Sequence, residues 1–128
     1  MPLQKRIRVL LVDDSDLTLH RTCSAMRVCR RVEIVATATG SADAVNLARE
    51  HQPDLVLMDV QQGDAPRLDR AFEVMQQLRF ARVVVVSDQD SVPIRRMCQK
   101  SGTHSFVPKT RFTQEFCGIV KQVAGECG

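Results

Sequence analysis

The apolar run over residues 55–58 (LVLM) restricts the fold more than any other feature, because it ends directly in a single carboxylate, Asp59. A short apolar run followed by polar, Gly- and Pro-containing sequence is typical of a strand buried on both faces of a parallel sheet. In open sheets of this kind, ligands bind just beyond the carboxyl ends of the strands. Asp59 is therefore predicted to lie at the functional edge of the sheet.

Similar apolar runs recur along the chain, and segments with helical periodicity separate them. We predict five strands, near residues 7–12, 32–36, 55–59, 83–87 and 105–108, with helices between them and over 111–124. Strands that alternate with helices indicate a parallel sheet covered by helices on both faces. The predicted fold class is α/β: a doubly wound five-stranded parallel sheet in the order 2-1-3-4-5, with a flavodoxin-like (βα)5 arrangement. Because no linker or repeat interrupts the pattern and the chain ends soon after the last helix, we expect one domain over residues 1–128.

The composition limits the classes of protein to which the chain can belong. Hydrophobic residues make up 44% and charged residues 26%, which is ordinary for a soluble globular protein. No run reaches membrane-spanning length, and the N-terminus lacks the apolar segment of a secretion signal. A net charge of +3 is too small to indicate nucleic-acid binding. The five cysteines form no C-x-x-C pair, so neither a zinc site nor a disulfide framework is indicated. We expect a reduced, cytoplasmic protein without membrane contact.

Polar residues follow the predicted strands at the points where they end. They are Asp13 and Asp14 after the first strand, Asp59 after the third, Ser87 after the fourth and Lys109 after the fifth. Right-handed crossovers bring all these strand ends to one edge of the sheet. Three carboxylates in one cleft repel one another, and Mg²⁺ (or Mn²⁺) relieves this because it prefers carboxylate and water oxygens. Such a site can transfer a phosphoryl group, with Asp59 as nucleophile, Lys109 as counter-charge and Ser87 as hydrogen-bond donor to the phosphoryl group.

Each of these residues also has an ordinary structural explanation. The pair Asp13 and Asp14 is common in strand-to-helix turns, Ser87 can cap a helix, and Lys109 can be a solvated surface charge. Their joint occurrence in this order, on five strand–helix units, favours the functional interpretation.

Four motifs of the chain, taken in order, resemble those of the receiver domains of two-component response regulators. They are VDD at 12–14, PDLVLMD at 53–59, VVVVS at 83–87 and FVPK at 106–109. The resemblance covers the whole chain, and residues 32–59 are most similar to receivers of DNA-binding regulators with a helix-turn-helix output. It implies that Asp59 is the phosphoacceptor and that a histidine kinase or a histidine phosphotransfer protein is the phosphodonor.

The resemblance also implies roles for individual residues. Asp14 and Asp59 are expected to bind Mg²⁺ directly, Asp13 largely through water, and Gln61 through its backbone carbonyl. Lys109 is expected to pair with the phosphoryl group, or with Asp59 before modification. Ser87 and Phe106 resemble the switch pair of the family, in which the hydroxyl moves toward the phosphate and the aromatic ring turns inward.

The expected consequence is a change in the face formed by the fourth helix, the fifth strand and the fifth helix. Through that face the chain is expected to contact an output partner or a second copy in a homodimer. Contact with nucleic acid is expected only through an output domain absent from this chain. We expect no enzyme activity beyond the phosphorylation and dephosphorylation of Asp59.

Two positions depart from the family pattern. In the loop over residues 61–66, Gly63 stands where the family usually has Pro, which predicts a less rigid loop and altered metal affinity and phosphoryl lifetime. Asp88 stands where the family usually has a small residue, and its charge is expected to slow phosphorylation by small phosphodonors.

Two other classes of function stay open. One is a pseudo-receiver, a module that binds partners without phosphorylation. The other is a small phosphatase or a flavodoxin-like enzyme of the same architecture, which the absence of a Gly-rich loop and of any Trp or Tyr disfavours.

Overall fold

A computed structural model of the chain describes residues 6–13, 32–39, 41–59, 61–62, 65–66, 76–77, 82–87, 92–101, 105–108 and 111–127. Four of the residues singled out above, Asp14, Gly63, Asp88 and Lys109, lie outside the described residues. The first predicted helix and most of the third also lie outside them.

The described residues include seven strands and three helices, and residues 76–77 are helical as well. The strands are β1 (Ile7–Val12), β2 (Val32–Ala38), β3 (Leu55–Asp59), β4 (Gln61–Gln62), β5 (Ala65–Pro66), β6 (Arg82–Ser87) and β7 (Ser105–Pro108). The helices are α1 (Ser41–His51), α2 (Val92–Ser101) and α3 (Phe112–Cys127). The fourth and fifth helices of the sequence prediction are α2 and α3. Within the part of the chain that the structure describes, no helix combines the length and the apolar character needed to cross a membrane.

Five strands form one parallel sheet in the order β2-β1-β3-β6-β7. The predicted fold class, a doubly wound sheet with strand order 2-1-3-4-5, is thereby confirmed. The register brings the strand ends level, since Val12 pairs with Met58 and Asp59 pairs with Val86. Asp13, which directly follows β1, therefore lies at the same edge of the sheet as Asp59.

The strand β2 continues to Ala38, two residues beyond the predicted end at residue 36. Its register against β1 shifts after the pairing of Val9 with Ile34, so that Leu10 pairs with Ala36 and Val35 is the additional residue. A bulge of this kind displaces the pairing by one residue. Because of this shift, Val12 pairs with Ala38 rather than with Thr37 at the carboxyl edge of the sheet.

The core consists of two layers, one on each face of the sheet. Alternate residues of a strand point to opposite faces. On one face, Leu10, Val56 and Val85 of the sheet belong to the same buried cluster as Ala44 of α1 and Cys98 of α2.

The other face is covered by the C-terminal helix. There Leu11, Leu57 and Val84 of the sheet cluster with Phe116 and Val120 of α3. The central strands are thus apolar on both faces because each face carries its own helices, which explains the continuous runs in the sequence.

The edge of the sheet opposite the carboxyl edge is held by contacts between Arg8 and the end of α1. Gln52 has a φ of 52°, a left-handed conformation that ends the helix, and its N–H donates to the Ala48 carbonyl at 2.7 Å. The Arg8 guanidinium donates to the carbonyl oxygens of His51 and Gln52, which the helix leaves without intrahelical donors. These contacts join the end of α1 to β1.

Candidate functional site

Two carboxylates lie together at the carboxyl edge of the sheet. Asp13 directly follows β1, and Asp59 is the last residue of β3. Both line one small pocket, whose other walls are Leu11, Val12, Leu57 and Val86. Asp13 lies two residues after Leu11, and Asp59 lies two residues after Leu57. Because side chains two residues apart on a strand point to the same face, both carboxylates lie on the face that carries Leu11 and Leu57.

The two carboxylates differ in their exposure to solvent. Asp13 is 4% exposed, and its backbone N–H donates to the Ala38 carbonyl at 2.9 Å, which ties the end of β1 to the end of β2. Asp59 is half-buried. A carboxylate as buried as Asp13 is stable in its ionised form only near a cation or hydrogen-bond donors. Asp59, by contrast, is open to a reagent from solution.

Ser87 and Phe106 lie on the opposite face of the sheet, on neighbouring strands. Ser87 ends β6, is fully buried and pairs with Pro108 of β7. Phe106 pairs with Val85 and packs as a half-buried ring against the cluster that contains Val85. Because Val85 and Ser87 are two residues apart on one strand, the Ser87 side chain points to the same face as the Phe106 ring.

Gln61 belongs to a two-stranded hairpin that begins two residues after Asp59. Gln61 pairs with Pro66 and Gln62 pairs with Ala65, in antiparallel orientation. Antiparallel pairs alternate between those that exchange two backbone hydrogen bonds and those that exchange none. Pro66 has no N–H, so Gln62 and Ala65 form the bonded pair, and the Gln61 carbonyl points away from β5.

This hairpin lies within the segment over residues 61–66 that is predicted to be a loop. The sequence contains one indication of the hairpin, the dipeptide Gly63-Asp64 between the two strands. A two-residue connection that begins with Gly is typical of a hairpin turn. Strands of two residues are too short to show the alternation by which strands are recognised.

The structure therefore brings together part of the predicted site. Asp13 and Asp59 share a pocket, and Gln61 follows within the hairpin. Ser87 ends the strand beside Asp59, but its side chain lies on the opposite face of the sheet. Among the residues that the structure describes, no three His, Cys, Asp or Glu side chains form a group that could hold a metal ion. Asp14, the third predicted carboxylate ligand, and Lys109 lie outside the described residues.

One contact beside the predicted switch pair has no counterpart in the sequence pattern. The guanidinium carbon of Arg95, in α2, lies over the Phe106 ring at 5.1 Å from the ring centroid. In the sequence, nothing distinguishes Arg95 from the nearby basic residues Arg96 and Lys100. A contact between a helix and a strand depends on packing and leaves no periodic signal.

Comparison with known proteins identifies the family. The family model described as response regulator receiver domain matches residues 9–121. The response regulator GacA of Pseudomonas aeruginosa is 30% identical over 91% of this chain and 55% of its own length. The transcriptional regulatory protein MctR of Rhizobium johnstonii is 27% identical over 98% of this chain and 58% of its own length. The chain thus spans a little over half the length of these curated relatives.

A solved structure agrees with this assignment. The signal receiver domain of NarL from Mycobacterium tuberculosis superposes with a TM-score of 0.80 at 25% identity, over 94% of this chain and 98% of that domain. The strand order, the paired carboxylates at the carboxyl edge and the family match over residues 9–121 lead to one conclusion. The chain belongs to the response regulator receiver domain family, the signalling domains of two-component systems.

Proposed function

We propose that the chain is a phosphoacceptor receiver in which Asp59 takes a phosphoryl group from a histidine kinase or a histidine phosphotransfer protein. The observation that carries the proposal is the pocket at the carboxyl edge of the sheet, which Asp13 and Asp59 line together. Asp59 is half-buried, so its carboxylate is both held in place and open to a donor.

The reaction needs no proton to be removed from the nucleophile. A carboxylate oxygen of Asp59 attacks the phosphorus of the donor's phosphohistidine, a P–O bond forms, and the P–N bond breaks. The electron pair of that bond stays with the imidazole, which takes up a proton. Lys109 is proposed to offset the negative charge of the transferring group, since it follows β7 in the sequence.

The oxygen donors near Asp59 suit Mg²⁺ (or Mn²⁺). Asp13, Asp14 and Asp59 would hold the ion together with the Gln61 carbonyl, which the hairpin directs away from β5. All four are hard oxygen donors, the class that these ions prefer. The bound ion would lower the cost of bringing a phosphate dianion beside carboxylates.

Ser87 and Phe106 are proposed to report the modification. Both lie on the face of the sheet that α2 covers, on neighbouring strands. Once Ser87 donates to a phosphoryl oxygen, its displacement makes room for the Phe106 ring, and the face formed by α2, β7 and α3 changes.

The domain is proposed to control transcription or the activity of a partner protein. It is also proposed to form a homodimer through the face made by α2, β7 and α3. The names of the relatives, a response regulator and a transcriptional regulatory protein, support this proposal. Because the chain spans little more than half of those relatives, we propose that residues 1–128 act as a receiver unit and that DNA contact belongs to a separate output domain.

The proposal is tested by phosphate-affinity electrophoresis after incubation with acetyl phosphate and Mg²⁺. The wild-type chain should give a retarded band, Asp59→Asn should give none, and EDTA should abolish the band. Asp54→Asn is the matched control, because Asp54 immediately precedes β3 and lies at the other edge of the sheet. It should keep the retarded band.

A retarded band in Asp59→Asn, or none in the wild type, would contradict the proposal. The second outcome would favour the pseudo-receiver. One observation supports that alternative: a hairpin with Gly63 in its connection follows Asp59 where the family usually has Pro.

A further inference from the structure

The contact between Arg95 and Phe106 joins the predicted switch residue to the helix that covers it. The guanidinium carbon lies 5.1 Å from the ring centroid, inside the distance of about 6 Å within which a cation over an aromatic face is attracted. Both side chains are half-buried, so the attraction is less screened by water than at a fully exposed site.

Phe106 is held from two directions. Its ring packs against the core cluster that contains Val83, Val85 and Cys98, and Arg95 lies over the ring. Ser87 is fully buried on the same face, two residues beyond the partner of Phe106 in the sheet. Any inward movement of the ring toward Ser87 therefore changes its distance from the guanidinium.

We propose that Arg95 is a positioning residue for the phosphorylation switch. Its guanidinium stabilises Phe106 in the half-exposed position, and the ring gives up this contact when it turns inward. The inference rests on the proposed phosphoacceptor function. A contact made in only one of two states shifts the equilibrium between them by its own free energy.

The expected size of the effect follows from the strength of such contacts. Partly exposed cation–π pairs alter an equilibrium about two- to five-fold. Removal of the guanidinium should therefore raise the apparent affinity for a phosphoryl mimic about two- to five-fold, because the inward state no longer competes with this contact.

Simple electrostatics predicts the opposite sign. Loss of a positive charge near the sheet edge weakens the binding of an anion, or leaves it unchanged where salt screens the interaction. Arg96 provides the matched control, since it is the next residue of α2, has the same charge and is exposed. Arg96→Ala reports the loss of charge without loss of the ring contact.

The test measures the binding of beryllofluoride, which adds to a carboxylate oxygen as a phosphoryl mimic, in excess Mg²⁺. Dissociation constants come from amide shifts in ¹H–¹⁵N spectra of the wild type, Arg95→Ala, Arg95→Lys, Arg96→Ala, Phe106→Leu and the Arg95→Ala/Phe106→Leu double variant. Arg95→Ala should bind about two- to five-fold more tightly than the wild type. Arg95→Lys should fall between them, and Arg96→Ala should bind equally or more weakly. In the Phe106→Leu background, Arg95→Ala should have no effect.

The role of Arg95 would be overturned if Arg95→Ala bound beryllofluoride no more tightly than the wild type. It would also be overturned if the double variant bound beryllofluoride more tightly than Phe106→Leu alone. A wild-type chain that binds no beryllofluoride would instead remove the proposed function and this inference with it. A separate measurement needs no phosphoryl mimic. The Arg95 δ-proton resonances should shift in Phe106→Leu through loss of the ring current, and unchanged resonances would show that the contact is absent in solution.

Discussion

At the scale of single residues, Asp54 and Arg8 meet twice where β1 and β3 begin. The Arg8 N–H donates to the Asp54 carboxylate at 3.0 Å, and the Asp54 N–H donates to the Arg8 carbonyl at 2.9 Å. The Asp54 carbonyl also accepts from the Arg82 N–H at 3.3 Å. Asp54 thereby ties together the starts of three neighbouring strands, at the edge of the sheet opposite Asp59.

The variant Asp54→Ala should lower the free energy of unfolding by about 1–2 kcal/mol, because a half-buried N–H loses a charged acceptor. Asp54→Asn keeps an acceptor oxygen in nearly the same volume and should lose less than half of that. Urea unfolding followed by far-UV circular dichroism measures both. Equal losses in the two variants would show that the acceptor oxygen is not the source of the stability.

At the scale of elements, α3 is stabilised by its buried face and weakened by its exposed face. Phe116 is 2% exposed and stacks on Phe112 with ring centroids 5.0 Å apart. On the outer face, Gly118 lies in the middle of the helix, and a Cβ atom added there would meet nothing within 4 Å. Glycine in a helix interior costs stability through backbone entropy that alanine does not lose.

The variant Gly118→Ala should therefore raise the free energy of unfolding by about 0.5–1 kcal/mol. Gly125→Ala is the matched comparison, since a Cβ there also meets nothing but the site is two residues from the helix end, where helices fray. Gly125→Ala should therefore raise the free energy of unfolding by less than Gly118→Ala does. The midpoints of urea unfolding of the two variants are compared with that of the wild type. A midpoint lowered by Gly118→Ala would mean that the outer face of α3 is occupied in solution.

At the scale of the whole molecule, the sequence predicts the parts that the core dictates. The runs of β3 and β6 are strong signals because Val56, Leu57 and Val84 are buried between two helix layers. The strand order follows from the requirement that the residues predicted at the strand ends converge, because this makes the first, third, fourth and fifth predicted strands neighbours; these residues are Asp13, Asp14, Asp59, Ser87 and Lys109. The hairpin and the Arg95–Phe106 contact do not follow, since a two-residue strand has no period and a contact between α2 and β7 depends on side-chain packing. The extension of β2 is missed for a related reason: the bulge at Val35 changes the pairing without changing the apolar pattern.

The site itself depends on the folded chain, because Asp13 and Asp59 come from different strands and meet only in the assembled sheet. A ligand that needs both binds the native state alone and stabilises it by RT ln(1 + [L]/Kd).

With Mg²⁺ present, beryllofluoride at one hundred times its dissociation constant should raise the free energy of unfolding by about 2.7 kcal/mol. The urea midpoint should rise while the slope of the transition stays constant, because the surface exposed on unfolding is unchanged. Asp59→Asn and wild type with Mg²⁺ alone should lack this increase, and an equal increase in Asp59→Asn would place the bound anion elsewhere on the fold.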